Sequence, residues 1–225
     1  MPKPYQYFFL DLDDTLYSYS ICHESGLNGF VEFASTEFKL EKEKVKETYK
    51  QVRKEINTRL HGLASSHSRL LYAKEFCEAF GLNPVQYAIP LENSYWKNYF
   101  PNMVLGEGVI EFLQELKRRE KKIGLITDLT TEIQLKKLAF LKIDSYFDAI
   151  ITSEEAGAEK PSSRIFELAI KKLNAQKLSS IMIGDNYEKD VLGARDFGIS
   201  SYYFGFREDE ELCLPSFREA LDKLL

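Results

Sequence analysis

A chain of 225 residues, 44% hydrophobic and 29% charged, has room for one large domain with an appendage or two modest ones, and its composition excludes disordered and fibrous classes. A formal charge of −5 argues against a nucleic-acid footprint, so an anionic ligand has to be attracted locally, by a metal or a few cations. No apolar run approaches the roughly 20 residues of a membrane helix, Met1-Pro2-Lys3-Pro4 leads into a strand-like run and not a signal peptide, and Cys22, Cys77 and Cys213 suggest neither a disulfide framework nor a zinc site; the expected compartment is cytoplasmic.

The run 5–12 is aromatic and aliphatic apart from Gln6 and Asp11, and reads as a buried strand that ends in acids. Over 17–100 the spacing turns helical: Leu27, Phe30, Val31, Ala34 and Phe38, then Val45, Tyr49, Val52 and Ile56, then stretches at 70–80 and 85–99 punctuated by Gly81, Pro84 and Pro101. No strand signal interrupts this segment, which predicts an all-helical insert. Beyond Pro101, helices at 109–121, 131–141, 162–173 and 187–197 alternate with strands at 123–126, 147–152, 180–183 and 201–204, and a last helix starts at Pro215. Such alternation predicts an α/β fold, a parallel sheet with helices on both faces, in which ligands collect at the carboxyl ends of the strands. The expected core is therefore 1–16 with 101–225, and the expected helical domain 17–100.

Three polar clusters close apolar strands: Asp11-Leu12-Asp13-Asp14-Thr15, Thr127-Asp128, and Gly184-Asp185 with Asp190 beyond. Lys160-Pro161 precedes a helix and brings an ammonium to the same crevice, and a lysine among carboxylates suggests phosphate. Phosphate monoester hydrolysis is very slow uncatalysed, and a dianion repels its attacker, so its charge must be masked. Asp11 and Asp185 are hard oxygen donors with no His or Cys nearby, which selects Mg²⁺. With the charge masked, Asp11 can attack phosphorus and divide the reaction into two steps through an aspartyl-phosphate. Asp13, two residues along an extended chain, projects to the same side and can act as general acid and base. On this reading it offers the metal its backbone carbonyl and keeps its side chain free.

These ordered motifs, from Asp11-Leu12-Asp13-Asp14-Thr15 through Thr127 and Lys160-Pro161 to Gly184-Asp185-Asn186 with Asp190, resemble those of the haloacid dehalogenase superfamily, and they span nearly the whole chain. The resemblance implies a Rossmann-like three-layer core with the helical segment as a cap inserted after the first strand. It also implies that Asp11 is the nucleophile and Asp13 the acid/base, that Thr127 and the Asp128 amide bind the phosphoryl group, and that Lys160 steadies both nucleophile and phosphate. Asp11, Asp13 and Asp185 would ligate magnesium. Asp190 would lie one layer out, reaching the metal through a water or pairing with Lys160, although an ordinary surface acid is the other reading. Relatives often carry Asn at the position of Asp128, so its carboxylate is expected to turn from the phosphate toward the helix start near Thr131.

The implied function is hydrolysis of a small soluble phosphate monoester. A phosphomutase or phosphotransferase shares every core residue; a 2-haloacid dehalogenase, with no use for Asp13, and a non-catalytic binding protein stand further off. Expected partners are a small phosphorylated metabolite, with no nucleic acid and no membrane, in a monomer or homodimer. His23, His61 and His67, with Arg53, Arg59 and Arg69, read as surface residues of the insert, and Trp96 beside Tyr95 and Tyr99 as packing between insert and core.

Overall fold

The computed structural model describes residues 5–225, so the reading of Met1-Pro2-Lys3-Pro4 lies outside it. The chain forms two compact units: Tyr19–Met103, and the chain up to Ser18 together with Val104–Leu225. Tyr17 stays with the second unit because it bridges to Leu105, while the Gly106 amide donates to the Leu16 carbonyl at 2.8 Å.

Tyr19–Met103 is built on α1 (Tyr19–Phe38), α2 (Lys42–Arg59), α3 (Arg69–Ala79) and α4 (Pro84–Tyr99). The start of α4 follows local chemistry, since Pro84 supplies no amide where none is needed and the Asn83 side chain accepts from Val85 N–H at 3.0 Å. Helix α1 buries Cys22, Gly26, Phe30, Val31 and Ala34, the helical spacing of one apolar face. Its glycines let α4 approach closely: a Cβ at Gly26 would meet the Tyr95 ring at 2.9 Å, and one at Gly29 the Ser94 carbonyl at 2.7 Å. Phe30 anchors the interior, edge-on to Tyr49 and Phe76 at 5.0 Å each.

In the second unit, among the described residues, β1 (Tyr7–Leu10), β2 (Lys122–Thr127), β3 (Ala149–Thr152), β4 (Ser180–Gly184), β5 (Ser200–Phe204) and β6 (Cys213–Leu214) form one parallel sheet in the order β3-β2-β1-β4-β5-β6. Around it lie α5 (Val109–Arg118), α6 (Thr131–Leu141), α7 (Ser153–Ala156), α8 (Ser163–Leu173), α9 (Gly193–Phe197) and α10 (Phe217–Leu224). Consecutive residues of β1 serve opposite faces, as a period of two requires. Phe8 meets Phe112 of α5, which meets Phe217 of α10, whereas Phe9 packs with Ile165, Phe166 and Ala169 of α8 and Ala194 of α9. Both faces are therefore covered, giving the α/β fold expected from the alternation and the Rossmann-like core that the resemblance implies. Strand β6 was not foreseen, because two residues carry no pattern. The helix expected over 187–197 begins as a π-helical segment, Tyr187–Leu192, before continuing as α9. No helix among the described residues is long and apolar enough to cross a membrane, and Cys22, Cys77 and Cys213 are free and buried.

Candidate active site

Strand β1 is central, paired with β2 on one side and β4 on the other, so the chain changes direction across the sheet beside it. A crevice opens at such a switch point, beyond the carboxyl ends of the strands. Asp11 leaves β1 there, its amide still donating to Ile183 of β4 at 3.0 Å. Thr15 closes the turn: its hydroxyl lies 3.2 Å from both Asp11 Oδ2 and Asp185 Oδ1, and accepts from the Asp185 amide at 3.1 Å. One hydroxyl therefore ties the ends of two strands together.

Lys160, 4% exposed, places Nζ 2.6 Å from Asp11 Oδ1, 2.7 Å from Asp190 Oδ1 and 3.1 Å from the Ile126 carbonyl. Asp190 is fully buried, which overturns its reading as a surface acid; its other oxygen accepts from the Asn186 amide at 3.0 Å. Gly184 permits this position, for a Cβ there would lie 2.3 Å from an Asp190 carboxylate oxygen. Asp11, Asp185 and Asp190 each bring an oxygen within 4.8 Å of the others. Burial, followed by repulsion from Asp190 and Asp14, raises Asp185 to about 6. Asp11 is pushed up by burial and by Asp190 and Asp185, against the pull of Lys160. Burial alone would lower the Lys160 ammonium, but Asp11 and Asp190 outweigh it and hold it charged. One ammonium thus faces three carboxylates, and a divalent cation fits both this shortage of positive charge and the all-oxygen donor set.

Asp13 differs from expectation. Its side chain is not free: Lys137 Nζ bridges both carboxylate oxygens at 2.7 Å, the Tyr17 hydroxyl donates to Oδ1, and Gln134 Nε2 lies 3.5 Å from Oδ2. Lys137 is 1% exposed and Gln134 fully buried, on the inner face of α6 with Ile133 and Leu138. Gln134 also donates to Thr127 Oγ1 at 2.5 Å and to the Asp128 carbonyl at 3.0 Å, leaving the Thr127 hydroxyl proton available for donation. Neither Lys137 nor Gln134 was singled out from the sequence, yet their i, i+3 spacing between apolar Ile133 and Leu138 marks polar groups on a buried face.

The carboxylate of Asp128 does not turn to the start of α6. It accepts from the Lys160 amide at 3.0 Å and from Lys189 Nζ at 2.9 Å, while the Thr131 amide is taken by Glu154 at 2.7 Å. Asp128 therefore fastens the loop that carries Lys160. In the helical unit, Arg69 is likewise no surface residue, being 5% exposed. Trp96 packs on Tyr95, Tyr99 and Phe100 of its own unit, with ring centroids at 5.0–5.6 Å.

Residues 9–204 match the model of the haloacid dehalogenase-like hydrolases, and the chain belongs to that family. It is 34% identical over 215 residues to the ribulose-1,5-bisphosphate 5-phosphatase of Halopiger xanaduensis, covering 95% of this chain and 90% of that protein. It is 30% identical over 202 residues to the glyceraldehyde 3-phosphate phosphatase of Methanothermobacter thermautotrophicus, covering 86% and 82%. The fold is also that of the magnesium-bound hydrolase YfnB of Bacillus subtilis, with a TM-score of 0.76 at 16% identity over 99% of each chain. Within its family the chain is a phosphatase, a phosphoric monoester hydrolase.

Proposed function

We propose that the chain is a Mg²⁺-dependent phosphatase for a small phosphorylated metabolite of the sugar-phosphate kind, working through an aspartyl-phosphate on Asp11 with Asp13 as general acid and base. The observation that carries this reading is the group of buried Asp11 and Asp190 with half-buried Asp185 around Lys160 at the carboxyl ends of β1 and β4. The two phosphatases with near full-length similarity lend support through the substrates in their names.

Asp11, Asp185 and Asp190 would hold the magnesium ion, directly or through water, with the Asp13 carbonyl beside them; the ion would neutralise phosphoryl oxygens. A carboxylate oxygen of Asp11 forms a bond to phosphorus as the ester oxygen leaves, and that oxygen takes a proton from Asp13. Water then attacks phosphorus and gives its proton to Asp13, the acyl phosphate bond breaks, and Asp11 returns as carboxylate with inorganic phosphate released. Thr127 and the Asp128 amide bind phosphoryl oxygens, and Lys160 keeps Asp11 in line. Lys137 and Tyr17 hold the Asp13 carboxylate in one orientation, which the base of the second step needs, since its oxygen must meet the attacking water within hydrogen-bond reach. A dehalogenase has no use for the three-carboxylate group or for Asp13.

Rapid quench of the magnesium-loaded chain with ³²P-labelled sugar phosphate is expected to trap label on Asp11, with steady-state phosphate release abolished by EDTA and restored by Mg²⁺. An adduct on another residue, no adduct at all, or turnover that persists in EDTA would overturn the mechanism.

A further inference from the structure

Arg69 is a buried cation, and among the described residues no carboxylate is paired with it. Its Nη1 donates to the His67 carbonyl at 2.6 Å, and its Nη2 to the Tyr19 hydroxyl at 2.5 Å and more weakly to Tyr95 at 3.4 Å. Its Nε is buried with no hydrogen-bond partner. The rings of Tyr19, Tyr72, Tyr95 and Trp96 surround the guanidinium at 5.3–5.8 Å. Cation–π attraction offsets part of the cost of burial, but it brings no negative charge and leaves the Nε–H unsatisfied.

A second cation adds to the imbalance. Arg53 donates from Nη1 to His23 Nε2 at 3.1 Å, and since arginine can only donate, that nitrogen carries no proton. His23 Nδ1 is then the protonated nitrogen and donates to the Tyr95 hydroxyl at 2.7 Å, so the imidazole is neutral. Burial, followed by Arg69 and Arg53, lowers its pKa to about 3, in keeping with that geometry. Two guanidiniums thus meet around a neutral histidine, and among the described residues no carboxylate pairs with either. Tyr19, His23 and Arg53 are each half-buried, so the cluster keeps a side open to solvent.

We propose that the helical unit contains an oxyanion-binding site, formed by Arg69 and Arg53 with Tyr19, for a phosphate or carboxylate group other than the one hydrolysed at Asp11. An oxyanion supplies the missing charge and accepts from the unpartnered Nε–H, and the arginine fork suits it by geometry as well as sign. The anion is a free ion, and the site does not rest on the phosphatase reading.

The test uses the full-length chain labelled with ¹⁵N and titrated with inorganic phosphate. The Arg69 Nε–H and His23 ring resonances are expected to shift saturably, with the midpoint raised about 10-fold or more in Arg53→Gln, where a charge-assisted hydrogen bond is lost. The same midpoint is expected within about 2-fold in Asp11→Asn, which leaves this cluster intact. Absence of a saturable shift, or an equal midpoint in Arg53→Gln, would overturn the site whether or not the chain hydrolyses phosphate.

Discussion

The two buried polar centres of this chain carry opposite imbalances. At Asp11, three carboxylates share one lysine; at Arg69, two guanidiniums lie near a neutral histidine, and among the described residues no carboxylate pairs with either. A buried unpaired charge costs several kcal/mol, so each centre favours a partner of opposite sign. The proposed partners are a divalent cation for the first and an oxyanion for the second. The comparison also separates two ways of holding a charged side chain. Lys160 is fixed by ion pairs on the loop ahead of α8, whereas Arg69 is fixed by aromatic rings and neutral oxygens inside a helix bundle.

The sharpest break is at the nucleophile. Asp11→Asn is expected to reduce phosphate release by about 10⁴-fold or more, and a loss smaller than about 10-fold would remove Asp11 from the chemistry. Taking away one acid of the excess is milder: Asp190→Asn should weaken Mg²⁺ by about 10–100-fold, read from the magnesium dependence of turnover. The pairing at Asp13 can be tested on its own, for Lys137→Met is expected to lower kcat by about 10²-fold and reshape the pH–rate profile without changing magnesium dependence. A parallel loss of magnesium affinity would argue that Lys137 organises the whole crevice and not Asp13 alone.

Smaller effects come from packing and titration. Gly184→Ala should displace Asp190 and cost about 1–3 kcal/mol in urea unfolding, because a Cβ there overlaps a carboxylate that cannot move without breaking its ion pair. In the helical unit, His23 binds a proton near pH 6.5 when unfolded but only near 3 when folded. Between those values the unfolded chain holds more protons, so stability from this group is present above pH 6.5 and lost as the pH falls toward 3. His23→Gln should flatten that part of the pH–stability curve, and an unchanged slope would show that His23 is not held neutral by its arginines.

Much of the fold was legible in sequence because its signals are local. Alternating strands and helices beyond Pro101 fix a parallel sheet, and apolar spacing from Leu27 to Ile56 fixes helices, since each element needs one face to bury. Asp11, Thr127, Lys160 and Asp185 could be singled out because each follows or faces a strand end, a position that the period of the chain reveals. Lys137 was missed because a lysine on a helix is ordinarily solvated, and Arg69 was misread as surface for the same reason.

The sequence by itself determined most of the elements and which acids stand at their ends, both consequences of short-range periodicity and turn chemistry. Only the tertiary structure decided which charges meet: that Asp13 is bound by Lys137 from 124 residues away, that Asp128 faces Lys160 and Lys189, that Asp190 joins Asp11 and Asp185, and that Arg69 has rings for neighbours where an acid would balance it. Pairing of this kind depends on where packing brings distant side chains together and on how much water it removes from between them, and neither quantity is written in spacing along the chain.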